Sequence, residues 1–225
     1  MIYVNEIFGP TIQGEGKSIG KRTSFLRLAF CNLKCIWCDT PYSWDFRKFS
    51  RKLEVRKMTS QEIYTDLRDR LIKSVVISGG EPLLQQKKLV SLLQLLKEND
   101  FWIEIETNGT IIPSKEVVEL VDQFNCSPKL LNSGNKNGLK GEVLSFLNLT
   151  RKSNFKFVID EIRDFIEICE VVLDYKLQEI YIMPQGRTRE ELIKKERMVK
   201  AISEKYGFIF TQRLHILRFG SRRGV

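Results

Sequence analysis

Cys31, Cys35 and Cys38 carry the clearest chemical potential in this chain. They are three of its five cysteines, spaced C-x3-C-x2-C. Thiolate is the soft ligand that iron–sulfur clusters take, and three thiolates on one short loop can reach three corners of a small cluster. A closed electron-transfer cluster and a structural zinc site each want four ligands. This loop offers three; the nearest other cysteine is Cys126 and the only histidine is His215. The pattern points to a cluster with one iron left open to a non-protein ligand. Two plainer readings compete. A zinc knuckle would need a fourth ligand close by, and a secreted disulfide pair would want an even cysteine count and a signal peptide.

Other polar residues stand out against their surroundings. Arg27 interrupts the apolar run Thr23–Phe30, and a buried arginine is costly unless it meets a carboxylate or an anionic ligand. Gly14 and Gly16 flank Glu15 and allow close backbone approach to a ligand, although the segment also reads as a simple entry loop. Gly79-Gly80 leaves bare backbone after a short strand, and a tight turn is the plainer account. Glu106 ends a strand before Thr107-Asn108-Gly109, as a base, an acceptor for an amino-heterocycle, or a cap. Ser127 and Lys129 flank Pro128, and Gln185 follows Pro184. Asp39 and Thr40 are hard oxygen ligands beside soft thiols, or turn chemistry before Pro41. His215 begins a strand-like run, and a lone histidine is more often structural. Cys126 and Cys169 read as core thiols.

These residues need elements to position them. Residues 5–16 carry three glycines and a proline, which break regular structure, so Thr23–Phe30 reads as the first strand. Thr59–Arg70 reads as a helix with a capping-box pattern at Thr59 and Glu62. Strands are expected at Val75–Ile77, Phe101–Glu106, Phe155–Ile159, Ile180–Ile182 and from Phe208. Helices are expected at Lys87–Glu98, Pro113–Leu120, Gly141–Leu149, Ile162–Leu173 and Arg187–Tyr206. That alternation predicts an α/β fold with right-handed βαβ units and a mostly parallel sheet. Ligands of such sheets sit at the carboxyl ends of the strands, where the cysteine loop, SGGEP, ETNG, SPK and MPQG all fall.

The 225 residues fit one domain, 1–225, with ample core. The start MIYVNEIFGP lacks signal-peptide character, no apolar run could span a membrane, and clustered cysteines suggest a reducing cytoplasm. The net charge of +9 favours acidic partners. Its densest basic run, residues 47–57, reads first as a solvated face. Among functional readings, a docking patch for an acidic electron donor is preferred over nucleic acid.

The C-x3-C-x2-C loop resembles that of radical S-adenosylmethionine (AdoMet) enzymes. Within them, EIFGPTIQGEG at 6–16, FLRLAFCNLKCIWCDTPY at 25–42, SGGEP at 78–82, ETNGT at 106–110, SPK at 127–129 and the terminal RLHIL and RRGV resemble 7-carboxy-7-deazaguanine synthases. Asp39 after the third cysteine separates the chain from activases of glycyl radical enzymes, which typically have histidine there. The resemblance implies a shortened partial (β/α) barrel, usually a homodimer, that converts 6-carboxy-5,6,7,8-tetrahydropterin to 7-carboxy-7-deazaguanine. It implies a [4Fe-4S] cluster on Cys31, Cys35 and Cys38, AdoMet as a cofactor, and Mg2+ on Thr40. It implies AdoMet contacts from Trp37, Asp39, Gly80, Ser127, Pro128, Lys129 and Gln185. Substrate contacts would come from Ile12, Gln13, Gly14, Glu15, Arg27, Ser78, His215 and the carboxylate of Val225. Glu106 and Arg27 would be catalytic. A flavodoxin- or ferredoxin-type donor would supply the electron. Ser78 stands where threonine is common, and Phe30 precedes Cys31 in place of a frequent glycine. The family motif does not account for residues 47–57.

Rival classes remain: a glycyl radical activase, an electron carrier that ignores AdoMet, or a non-catalytic zinc or iron–sulfur protein whose basic surface binds RNA with strong salt dependence.

Overall fold

The computed structural model describes residues 1–220 and 222–225. In chain order the strands and helices are β1 (Ile2–Ile12), β2 (Arg22–Leu28), α1 (Arg51–Glu54), β3 (Arg56–Met58), α2 (Ser60–Asp69), β4 (Ser74–Gly79), α3 (Gln86–Lys97), β5 (Trp102–Thr107) and α4 (Lys115–Leu120). There follow β6 (Gln123–Cys126), α5 (Gly141–Leu149), β7 (Ser153–Ile159), α6 (Ile162–Asp174), β8 (Ile180–Pro184), α7 (Arg189–Tyr206), β9 (Ile209–Phe210) and α8 (Leu214–Phe219). The strands form one sheet ordered β3-β1-β2-β4-β5-β6-β7-β8-β9. From β2 to β9 every pair is parallel, while β1 runs antiparallel to β2 and β3. Two free edges make the sheet open, in agreement with the expected α/β partial barrel.

Alternation along the strands separates core from site. On β5, Ile103 and Ile105 face the helices while Glu104 and Glu106 face the other way; on β7, Phe155, Phe157 and Ile159 oppose Asn154 and Lys156. Against the apolar face pack Ile63 and Leu67 of α2, the α3 leucines Leu89, Leu92, Leu93 and Leu96, and Ile168 of α6. Full burial of each such side chain stabilises the fold by about 2 kcal/mol. The α2 start is fixed as expected: Thr59 and Glu62 form both halves of a capping box.

Three expectations need correction. Residues 5–12 do not break regular structure; they belong to β1, and a register shift between Phe8 and Thr11 absorbs Gly9 and Pro10. The first strand is therefore β1, not Thr23–Phe30. The run that begins with His215 is helical, not strand-like: α8 buries Ile216 and leaves His215 half-buried. So short an apolar run fits either period.

Candidate active site

A cavity of about 380 Å3 opens at the carboxyl end of the sheet, a size typical of small-molecule sites. Its walls come from successive strands: Ile12 of β1, Arg27 of β2, Ser78 of β4, Glu106 of β5, Asn125 of β6, Lys156 of β7 and Met183 of β8. Lining of one cavity by seven strands requires the sheet to curl. Register sets the row, because Arg27 pairs with Ser78, Glu106 with Asn125, and Asn125 with Asn154.

The cysteine loop closes one side. Cys31, Cys35 and Cys38 all line the cavity. Each sulfur faces an N–H donor. The Leu33 amide reaches Cys31 at 3.4 Å, Asn135 Nδ2 reaches Cys35 at 3.2 Å, and Trp44 Nε1 reaches Cys38 at 3.3 Å. Such donors stabilise sulfur that carries negative charge, as cluster-bound thiolate does. Without that charge, burial pushes the Cys31 thiol up to about 12. Among the described residues no three His, Cys, Asp or Glu side chains are close enough to hold a single metal ion. Three loop sulfurs that each meet an N–H donor fit an iron–sulfur cluster.

The loop is built onto the sheet through backbone. Phe30 takes φ 77°, a region that favours glycine, and its ring packs edge-on against Tyr3 and Phe46. The amide of Glu81 donates to Phe30 O at 2.8 Å, and that of Gly80 to Leu28 O at 3.1 Å. A Cβ on Gly80 would lie 1.9 Å from Phe30 O, so only glycine allows this approach. Glu81 is fully buried and acts as a brace. It accepts from the amides of Leu83 and Asn108 and from the Thr107 hydroxyl, which ties the end of β4 to the end of β5.

Charge is paired across the floor. Arg27 Nε donates to Glu6 Oε1 at 2.7 Å, the internal ion pair weighed from sequence, and the side chain also lines the cavity. Glu106 accepts from Ser78 Oγ at 2.7 Å and Gln13 Nε2 at 3.2 Å. Glu15 lies among Lys156, Arg213 and His215. Burial alone would raise its carboxyl, but Lys156 and Arg213 hold it well below the usual range. Arg213 also engages Asp39 and the Gly186 carbonyl. Burial lowers His215 despite the nearby Glu15, which keeps the imidazole neutral near pH 7.

Most residues singled out from sequence meet here: Ile12, Gln13, Gly14, Glu15, Arg27, Trp37, Asp39, Thr40, Ser78, Gly80, Glu106, Ser127, Lys129, His215 and Val225. Pro128 and Gln185 are not among the lining side chains, and the Gln185 side-chain oxygen accepts from Lys195 at 2.7 Å. Sequence reasoning missed Lys156, Arg213, Asn108, Asn135, Trp44 and Glu81. Lys156 had the same signal as Arg27, a lone cation inside the apolar strand FKFVI. Cys126 is core, as expected, and Cys169 packs partly buried against the core.

Comparison with known proteins agrees with this geometry. The Radical SAM superfamily model matches residues 26–194. The 7-carboxy-7-deazaguanine synthase of Pyrobaculum aerophilum is 33% identical over 99% of this chain and 97% of its own length. That of Bacillus cereus is 31% identical over 100% and 99%. The fold matches a crystal structure of QueE from Escherichia coli at TM-score 0.73, with 24% identity over 95% of this chain and 94% of that one. A family model matched over most of the chain and relatives matched along nearly their full length leave one conclusion: the chain belongs to the radical SAM superfamily and, within it, to the 7-carboxy-7-deazaguanine synthases.

Proposed function

We propose that this enzyme is a carbon–nitrogen lyase that converts 6-carboxy-5,6,7,8-tetrahydropterin to 7-carboxy-7-deazaguanine with loss of ammonia. Substrate and products balance without net oxidation, so the hydrogen removed from C6 can be returned. The observation that carries the reading is the meeting of three cysteine sulfurs, each facing an N–H donor, with Arg27, Ser78 and Glu106 in one cavity. When bound, the reduced [4Fe-4S] cluster and AdoMet supply a 5′-deoxyadenosyl radical for hydrogen transfer.

The chain's residues do the rest. Cys31, Cys35 and Cys38 would hold the cluster. Trp37, Asp39, Gly80, Ser127 and Lys129 bind AdoMet, and Pro128 and Gln185 shape the turns beside it. Arg27 takes the substrate carboxylate, because its guanidinium faces the cavity with Glu6 engaged through Nε alone. Glu106 accepts hydrogen bonds from the N–H groups of the aminopyrimidine, oriented by Ser78 and Gln13. Ile12, Gly14, Glu15 and His215 complete the pterin wall, and Val225 covers it. Thr40, which lines the cavity, would be a ligand to Mg2+.

Lys34 and Ile36 of the cysteine loop are exposed, Ile36 by 72%, which suits a flavodoxin- or ferredoxin-type donor. Ile162, Ile166 and Leu173 make an exposed apolar stripe along α6, which suits a homodimer. No helix among the described residues is long and apolar enough to cross a membrane.

The test is anaerobic turnover of reconstituted, reduced protein with AdoMet and 6-carboxytetrahydropterin. Mass spectrometry should find 7-carboxy-7-deazaguanine with little net 5′-deoxyadenosine. Deoxyadenosine without deazaguanine would reassign the substrate. Neither product from cluster-loaded protein would overturn the enzyme reading.

A further inference from the structure

The basic segment 47–57 has a structural task that its charge does not suggest. Residues 42–54 build a receptacle for one side chain from the other end of the chain. The Arg223 guanidinium lies 3.5 Å from the centroid of the Tyr42 ring and 5.7 Å from that of Phe49. Its Nη1 donates to both oxygens of Glu54, at 3.0 and 3.1 Å. Glu54 is held in turn by Asn5 Nδ2, which donates to its carbonyl at 2.7 Å and its carboxylate at 3.2 Å. Tyr42 and Phe49 pack edge-on, so the two rings form a corner.

Next to Arg223, Gly224 takes φ 70° and passes over Glu6 and Phe8 of β1. Arg222, Arg223, Gly224 and Val225 all line the cavity. The contacts run without a gap into the site. Tyr42 Oη donates at 3.2 Å to the Glu6 oxygen that also accepts from Arg27 Nε at 2.7 Å.

We infer that Glu54 and Arg223 are positioning residues that latch the tail, Arg222 to Val225, across the mouth of the substrate cavity. The assignment rests on the proposed pterin reading for its kinetic consequence, but not for the latch itself. An ion pair with a 43% exposed arginine is weak alone. The aromatic faces add a second attraction to the same guanidinium, and the planar group suits both partners where an ammonium does not. Glu54 is not in the cavity lining, so its removal takes nothing from the site except the tail's position.

Three variants test this: Glu54→Gln, Arg223→Gln and Arg223→Lys. Hydrogen–deuterium exchange of residues 222–225 in cluster-free protein reads the latch without turnover. Both Gln variants should exchange faster there, by about tenfold, equivalent to about 1.4 kcal/mol. In loaded enzyme both should raise KM for 6-carboxytetrahydropterin about tenfold, with kcat within about threefold and AdoMet affinity unchanged. Arg223→Lys should recover part of both losses, since it keeps charge and loses planarity. Unchanged exchange or unchanged KM in the Gln variants overturns the assignment, as does a rise in KM matched by an equal loss of AdoMet affinity. Wild-type protein that turns over no pterin but shows the exchange pattern would remove the substrate reading and leave the latch standing.

Discussion

The Lys156 ammonium lies between two carboxylates at the cavity floor, hydrogen-bonded to Glu15 and 3.9 Å from Glu106. The lysine side chain is only 6% exposed. Burial opposes its charge, yet Glu15 and Glu106 raise it, so the lysine stays protonated. One cation thus offsets the charge of two carboxylates at the cavity floor.

Lys156→Met would leave Glu15 with less compensation in a buried setting. Loss of one partner of a buried pair costs about 3 kcal/mol. Denaturant unfolding should show that loss, and turnover should fall by about a hundredfold, or about 2.7 kcal/mol. Glu15 sits below its ordinary value of 4.5, so its pairing stabilises the fold above that pH and is lost as pH falls below it. In Lys156→Met that acid-side decline should be shallower. Wild-type-like unfolding across pH would sink this account.

The chemistry-bearing row was legible because strands alternate. Arg27 announced itself by its apolar neighbours, and Ser78 and Glu106 by their place at strand ends. What pairs with what was not legible. Lys156 meets Glu15 across 141 positions and Arg213 meets Glu15 across 198, and periodicity says nothing about such distances. Residues 5–12 misled because glycine and proline commonly end strands, whereas here a register shift absorbs them. Asn135, in the polar loop NSGNKNG, gave no signal that it would reach Cys35. The helix at His215 was too short for its period to show.

Asn135 Nδ2 donates to Cys35 Sγ at 3.2 Å. A donor to a cluster sulfur favours the more negative, reduced state. Asn135→Ala should therefore lower the cluster potential by about 60 mV, the one-electron equivalent of about 1.4 kcal/mol. A redox titration followed by electron paramagnetic resonance reads it directly. An unchanged or raised potential at normal iron content would refute the role.

Burial depresses His215 below its ordinary 6.5. The unfolded chain therefore binds this proton more readily than the folded one. The stability contribution is therefore intact above the unfolded value and is lost as pH falls through 6.5 toward the folded value. The charged groups facing the imidazole are Glu15, Arg213, Asp39 and Glu106. Wild-type unfolding free energy should decline between about pH 7 and pH 5, and His215→Asn should flatten that stretch. A slope that survives the substitution would assign it to other groups.

Gly80 offers the sharpest test of how the cluster loop is held. A Cβ there would stand 1.9 Å from Phe30 O and 2.9 Å from Cys31 N, both backbone atoms that cannot rotate away. Gly80→Ala must push the Phe30-Cys31 peptide off the end of β4, and with it the hydrogen bond from the Glu81 amide to Phe30 O. The core beneath is untouched, since Leu28 and Ile77 keep their sheet partners. The variant should stay folded, with stability lowered by about 1–3 kcal/mol from the local strain. Its reconstituted iron content should fall well below that of wild type, because Cys31 can no longer converge with Cys35 and Cys38. Iron analysis beside thermal unfolding separates the two effects. Full iron loading in a stable Gly80→Ala protein would mean that the loop tolerates the displacement and that backbone docking to β4 does not set the cysteine geometry.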